Sequence, residues 1–291
     1  MHEYSFRLGR EFQAASTREL TMVSRLDLDP ALMPRHIACI PDGNGRWAQR
    51  QGRVRINGHS VGARVISDVV LGAADLGIEW FTIYAFSTEN WQRPESEIAY
   101  LMGSLERAIY RRMDEFMQHN VRLRWIGSPD TRIPYSVREA IDYALTTTAS
   151  NTGMTFAIAF NYGGRTEIVD AIRRMIEDGV AGSDVNDTMI SRYLYAPDMP
   201  DPDLLIRTSG ESRISNFLLW QLAYSELVFS PVLWPEFTGD HLVDAIREYQ
   251  RRNRRFGGLD AGMSPGHTPP TLREGFDTEL TYARAPSISF S

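Results

Sequence analysis

Apolar positions along this chain fall into two alternating patterns. Short continuous or alternating runs recur at 36–40, 80–86, 121–126, 154–160, 204–207 and 227–229 and read as strands. Helix-sized segments separate them. Residues 59–76 carry one apolar face and stop at Gly77, and residues 95–119 space Ile98, Leu101, Met102, Leu105, Ala108, Ile109, Met113, Phe116 and Met117 by three and four. The latter is the longest amphipathic helix the sequence predicts. Segments 135–148, 166–178, 187–195 and 240–254 complete the alternation, and the turn before 47–50 reads as the start of another helix. Strand–helix alternation predicts a single-domain α/β fold, with a mostly parallel six-stranded sheet covered by helices on both faces. Residues 1–33, with mixed charge and weak apolar spacing, read as a loosely packed helical extension, and 259–291, rich in Gly, Pro, Ser and Thr, as a flexible tail. The catalytic-sized unit is then 34–258.

In parallel sheets ligands bind beyond the carboxyl ends of the strands. Each polar motif here follows a strand: Asp42 the first, Ser87-Thr-Glu-Asn-Trp91 the second, Asn161-Tyr-Gly-Gly-Arg165 the fourth and Arg207-Thr-Ser-Gly the fifth. They are expected to converge.

Composition narrows the chemistry. A net charge of −6 over 291 residues argues against a general nucleic-acid binder, so any anion site must be local. The chain contains no lysine, which removes Schiff-base, pyridoxal phosphate and P-loop chemistry and leaves arginine to bind phosphate. The single cysteine, Cys39, lies in an apolar run and is expected buried and reduced, in keeping with a cytoplasmic protein. No stretch approaches the ~20 apolar residues that span a bilayer, and the N-terminus lacks a secretory core, although contact with a membrane surface stays open.

The run His36-Ile-Ala-Cys-Ile-Pro-Asp42-Gly-Asn-Gly-Arg46-Trp-Ala ends a strand in a carboxylate, two glycines and an arginine. It reads as a diphosphate cradle: Gly43 and Gly45 let backbone N–H groups turn inward, and Arg46 adds a forked cation. A carboxylate beside phosphate oxygens is repulsive unless a cation lies between them, so Asp42 suggests Mg²⁺. A polar turn is the plain alternative. Residues 203–220 supply Arg207, Arg213 and Ser215 around a glycine turn, enough for a second diphosphate, and equally compatible with a solvated surface loop. Glu226 offers a second carboxylate for a metal. Ser87, Asn90, Trp91 and Arg93 crowd one turn before the long helix, where Ser87 or Asn90 would also serve as a cap and Trp91 as packing. Glu95 and Glu97 are explained by the helix dipole alone.

These residues resemble cis-prenyltransferases of the undecaprenyl diphosphate synthase type over about 34–258. The resemblance rests on Asp42-Gly-Asn-Gly-Arg-Trp-Ala48, Gly58-His59, Ser87-Thr-Glu-Asn-Trp91 with Arg93, Asn161-Tyr-Gly-Gly-Arg165, and Arg207-Thr-Ser-Gly-Glu-Ser-Arg-Ile-Ser215 with Glu226. It implies a homodimer that condenses isopentenyl diphosphate, with Mg²⁺, onto an allylic diphosphate such as farnesyl or geranyl diphosphate to give a Z-polyprenyl diphosphate. Gly43, Asn44, Gly45, Arg46, Arg55 and His59 would serve the allylic diphosphate. Arg207, Arg213 and Ser215 would serve isopentenyl diphosphate, and Trp47, Ser87, Thr88, Glu89, Trp91, Arg93 and Ile214 would line the substrate site. Asp42 and Asn90 would be catalytic and Asp42 with Glu226 would hold Mg²⁺. Arg255-Phe-Gly257 matches a family segment that completes the partner subunit's site.

The resemblance further implies an apolar tunnel, walled by the 95–119 helix and the strands at 81–86 and 154–160, whose depth sets product length, and membrane contact for product release. Ala85 stands at a length-controlling position, and Phe156 and Phe160 are expected at the floor. Two other readings keep the fold: irregular coupling of two short allylic diphosphates, and a non-catalytic subunit, which the intact Asp42 and Asn44 oppose.

Overall fold

The computed structural model describes residues 27–252. Six strands form one wholly parallel sheet: β1 (His36–Ile40), β2 (Trp80–Ser87), β3 (Arg122–Ile126), β4 (Thr155–Tyr162), β5 (Leu204–Arg207) and β6 (Glu226–Phe229), in the order β3-β4-β2-β1-β5-β6. Every residue of β1 and of β5 is buried, as continuous apolar runs in a doubly covered sheet require. Alternate β1 side chains serve opposite faces. Ile37 and Cys39 enter one apolar cluster, Ala38 and Ile40 the other.

Among the described residues seven α-helices flank the sheet: α1 (Asn44–Arg50), α2 (Arg55–Asp75), α3 (Glu95–Gln118), α4 (Tyr135–Thr147), α5 (Gly164–Glu177) and α6 (Asp187–Tyr193) between strands, and α7 (Gly239–Arg251) after β6. The apolar stripes of α2, α3, α4 and α7 fill the first cluster. The second face is covered by residues 195–222, among them Met199, Phe217 and Leu218, and α5 joins it through Glu167, which accepts from Tyr162 Oη and from the Tyr195 amide. No helix among the described residues is long and apolar enough to cross a membrane.

The expected elements are present, with shifted edges. α2 begins at Arg55, four residues before its expected start, and β4 includes Asn161 and Tyr162, residues expected in a loop. Tyr84 pairs with Ala159, Phe86 with Phe160 and Ser87 with Tyr162, so Ala85 is an extra residue in β2 and Asn161 an extra residue in β4. The two bulges compensate, and pairing resumes one step later on both strands. Asn161 takes φ +51, which an asparagine tolerates. Leu28 is buried in the main cluster, and Gln250 of α7 bonds both the N–H and the C=O of Asp29 at 3.1 and 2.9 Å. The folded unit therefore begins before residue 34. The rest of the expected extension, the tail and Arg255-Phe-Gly257 lie outside the described residues.

Candidate active site

The sheet order places β2 and β5 on either side of β1. The chain leaves β1 toward β2 and later crosses back to β5, so the carboxyl ends of these three strands frame the switch-point crevice of an open α/β sheet. Asp42, Ser87 and Arg207, from the ends of those strands, line one cavity of about 660 Å³. Asn44, His59, Glu89, Asn90, Arg93 and Ser215 line the same cavity.

Asp42 is pinned by its backbone. Its N–H donates to Ile40 O (3.0 Å) and Thr208 Oγ1 (2.8 Å), while its carbonyl accepts from the Thr208 hydroxyl (2.7 Å) and the Trp234 amide (3.0 Å). Its carboxylate accepts the Gly43 N–H on Oδ1 (2.7 Å) and Arg207 Nη2 on Oδ2 (2.9 Å). Arg207 is 4% exposed; its Nη1 bonds Ser215 Oγ (2.7 Å) and the Arg213 carbonyl, and its Nε has no partner. Arg46 donates to the carbonyl (3.1 Å) and hydroxyl of Ser209 and pairs with Glu211 at 3.2 Å. The first and fifth motifs are therefore one network, because Asp42 and Arg46 of the first bond Arg207 and Ser209 of the fifth.

Strained backbone surrounds this network. Ser209, Ser215, Asn216 and Leu218 adopt φ of +75, +49, +62 and +44, conformations that persist only where surrounding contacts enforce them. Asn216 repays part of that cost by bonding Glu89 Oε1 (2.8 Å) and accepting the Arg165 amide (2.9 Å). Burial opposes ionisation of Glu89, but hydrogen bonds from Asn216, its own backbone, Ser87 and Thr88 outweigh it and hold the carboxyl below its usual range.

Ser87 and Asn90 cap the short 3₁₀ turn Thr88–Gln92 and not α3, whose N-cap is Pro94. They form a reciprocal box in which Asn90 Oδ1 accepts the Ser87 N–H at 3.1 Å, yet both also line the cavity. Trp91 packs edge-on against Phe86, lies under Arg132 at 4.5 Å and donates Nε1–H to Asn161 Oδ1 at 2.8 Å. His59 faces Glu97 at 3.6 Å, and Glu97 binds Arg93 at 3.1 Å. Burial lowers the His59 pKa first, and the Arg93 charge lowers it further, so the ring is held neutral against the pull of Glu97.

Several expected residues stand elsewhere. Trp47 is buried with Ala48 and Leu233 and does not line the cavity. Ile214 packs against the second cluster. Arg213 is 64% exposed and bound to Glu211. Thr88 hydrogen-bonds Glu89 at 3.3 Å beside the cavity. Arg55 lies over Gly45, where a Cβ would come 2.8 Å from its Cζ. Glu226 is not beside Asp42 within one chain: the parallel register aligns it with Leu204, at the amino edge of the sheet, about 10 Å below Arg207, and it pairs with Arg252 at 3.0 Å. Phe160 is buried against Phe86 rather than lining the cavity, whereas Phe156 and Ala85 do line it.

Sequence reasoning missed Glu97, which it explained by the helix dipole, and the role of Gly62. A Cβ on Gly58 would lie 1.9 Å from Asn44 O, and one on Gly62 would lie 2.2 Å from Asn44 Oδ1. These glycines, one turn apart on α2, admit α1 against it. The i, i+4 spacing of Gly58 with Gly62, and of Arg93 with Glu97, was the available signal.

Below the mouth the cavity is mostly apolar. α3 contributes Leu101, Leu105, Ala108 and Ile109, α2 contributes Ala63 and Ile66, and β2 to β4 contribute Ile83, Leu123 and Ile158. The α2 wall was not expected.

The family model described as putative undecaprenyl diphosphate synthase matches residues 40–257. An isoprenyl transferase of Clostridium perfringens is 49% identical over 231 residues, 78% of this chain and 91% of that protein. One from Halalkalibacterium halodurans is 48% identical over 236 residues, covering 80% and 92%. Among solved structures, lavandulyl diphosphate synthase from Lavandula x intermedia, in complex with dimethylallyl diphosphate, superposes with TM-score 0.75 at 35% identity, covering 78% of this chain and 99% of that one. A probable undecaprenyl diphosphate synthase from Campylobacter jejuni gives TM-score 0.65 at 32% identity, covering 77% and 99%. With its motifs on one crevice and these relatives matched across most of its length, the chain is an enzyme that belongs to the cis-prenyltransferase family, of the undecaprenyl diphosphate synthase type.

Proposed function

We propose that the enzyme elongates an allylic diphosphate, farnesyl or geranyl, with isopentenyl diphosphate to a Z-polyprenyl diphosphate. The observation that carries this reading is one cavity with charged groups at its mouth, Arg207, Arg93 and His59, and mostly apolar walls below it: diphosphates would sit at the mouth, with Arg46 beside it on Ser209, and the hydrocarbon chain would extend along α3. The allylic C–O bond ionises with its electron pair leaving on diphosphate, the isopentenyl double bond attacks the cation, and the resulting tertiary cation loses a proton to restore a double bond. Preorganised guanidinium groups neutralise the leaving charge, and apolar walls keep water from the cation. The Asn90 carboxamide oxygen is committed to its cap, and an amide is a weak base. Asn90 therefore orients the reacting groups while Asp42 or released diphosphate takes the proton.

Mg²⁺ is ordinarily held by one or two carboxylates together with substrate phosphates. Asp42 and Glu89 are the carboxylates lining the cavity, and no group of three or more His, Cys, Asp or Glu suited to a metal occurs among the described residues. Asp42 would hold such an ion together with the substrate diphosphate. When bound, it supplies further neutralisation of the diphosphate oxygens.

A homodimer is supported by the edge strand β6 and by an exposed apolar stripe on α5, Val169, Ile172 and Ile176. Irregular coupling is the second reading, favoured by the likeness to lavandulyl diphosphate synthase. The Asp42–Arg207–Ser215 arrangement and the higher identity to isoprenyl transferases favour regular elongation. Incubation with isopentenyl diphosphate and each allylic primer, with products sized by mass spectrometry, decides. Linear polyprenyl diphosphates are expected; branched short products alone, or none, would overturn the proposal.

A further inference from the structure

Beyond the mouth, one charged side chain lines the cavity among the described residues. Arg112, late in α3, does so together with Ile109, Phe116 and Phe156. At 1.5 Å per residue it lies about 22 Å along the helix from Glu97, whose carboxylate faces His59 and Arg93 at the mouth. Diphosphate chemistry at the mouth does not reach it.

The guanidinium is tethered. Its Nη1 donates to both oxygens of Glu115, at 2.6 and 2.9 Å, and the Arg112 side chain is only 25% exposed. An ordinary i, i+3 surface pair would stand in solvent. This one borders an apolar void. From α2, Asp68 and Arg64 face the same neighbourhood: burial pushes the Asp68 carboxyl up, the positive charges of Arg112 and Arg64 pull it down, and Glu115 pushes it up. Asp68 and Arg64 of α2 thus lie within electrostatic reach of the Arg112–Glu115 pair on α3.

Resting on the reading of the enzyme as a chain-elongating prenyltransferase, we propose that the Arg112–Glu115 ion pair is a product-length determinant. Burial of each added unit is favourable while the tail meets apolar wall. At Arg112 a further unit must strip solvent from a guanidinium or pull it from Glu115, and that opposes elongation. Charge, and not bulk alone, then sets the stop. This differs from Ala85, whose side chain acts by volume nearer the mouth.

The experiment uses the full-length enzyme with farnesyl diphosphate and isopentenyl diphosphate. Products of wild type, Arg112→Met, Arg112→Ala and Glu115→Gln are sized by mass spectrometry, and circular dichroism confirms folding. Arg112→Met keeps the length of the stem and removes the charge, so it stays informative where the alanine variant fails to fold. Both arginine variants are expected to lengthen the dominant product by at least one five-carbon unit, and Glu115→Gln to broaden the distribution in the same direction. An unchanged or shorter distribution in Arg112→Met overturns the proposal, and lengthening in Arg112→Ala alone assigns the stop to bulk and overturns it equally. A wild type that makes no prenyl product defeats the elongation reading itself, a result distinct from normal products with unaltered length in the variants.

Discussion

The mouth and the interior of the cavity are built in opposite ways. At the mouth, short polar segments after three strands are held by hydrogen bonds, two compensating bulges and four left-handed non-glycine residues. In the interior, two helices and the sheet present apolar side chains at the spacings that cover any sheet. The mouth carries strain and an unpaired Arg207 Nε, which core packing alone would never select. The interior carries none, and its purpose lies in a volume left unfilled. Changes at the mouth are therefore expected to cost turnover, and changes in the interior to alter what is made.

The largest effect is expected from Asp42→Ala. Loss of one preorganised charge contact typically costs roughly 10²–10³ in rate. This substitution does not leave the fold untouched, because Asp42 pairs with the 4%-exposed Arg207. Breaking a fully buried pair costs ~3–5 kcal/mol; Asp42 is 35% exposed, so solvent screening reduces the loss to about 2 kcal/mol. Asp42→Asn retains an acceptor for Arg207 and separates the two effects. Condensation assays beside urea melts should show both variants inactive and only the alanine variant clearly destabilised. An active Asp42→Asn enzyme would remove Asp42 from the chemistry.

Next comes the join between the two regions. Gly58→Ala places a Cβ where Asn44 O already stands, so α1 must move away from α2, at a cost of roughly 1–3 kcal/mol or more by overpacking. Asn44 lines the cavity, so turnover should fall with the melting temperature. Gly72→Ala, with nothing within 4 Å and on the same helix, is the control, expected to be neutral or slightly stabilising. Equal melting temperatures for the two would refute the close-packing account.

The same contrast explains what the sequence revealed. Parallel strands read as continuous apolar runs, and α3 as a stripe, because both answer to burial over several residues. The mouth was legible by residue type: a carboxylate, two glycines and arginines have few structural reasons to cluster after a strand. What escaped was set by three-dimensional approach. Gly62 looked like an ordinary helical residue, Glu97 had a sufficient local explanation, and Trp47 resembled a ligand contact although it packs on Leu233. The α2 wall was invisible because Ala63 and Ile66 would look the same against a filled core. The separation of Glu226 from Asp42 within one chain was not legible, because the register that sends it to the opposite edge is a property of β5–β6 pairing.

A smaller change in quantity, though a sharp one in kind, is expected from Ala85→Leu. Ala85 is the extra residue of the β2 bulge and lines the cavity, so a larger side chain narrows the passage without touching Arg207 or Asp42. Product chains should shorten while the first condensation persists. An unaltered product spectrum would take Ala85 out of the wall.

The smallest effect is a proton shift, and two histidines measure it against each other. His36 is fully buried on β1; its Nδ1–H donates to Pro200 O at 2.6 Å, which leaves Nε2 to accept from Thr82 Oγ1 at 2.7 Å. Burial lowers its pKa to about 4. The unfolded chain binds the proton more strongly, so this contribution to stability is complete above about pH 6.5 and is lost as pH falls toward 4. His59 is shifted in the same direction, by burial and then by Arg93, but it opens onto the cavity. A diphosphate at the mouth places negative charge beside it and favours the imidazolium, so bound anion should raise the His59 pKa and tighten as pH falls below neutrality. Titration of the ring Cε1–H signals by NMR, with and without inorganic pyrophosphate, reads both. His59 should move up on adding pyrophosphate while His36 stays at its depressed value. Movement of neither, with pyrophosphate shown to bind by calorimetry, would place the anion away from His59 and break the assignment of the mouth as one diphosphate-binding network.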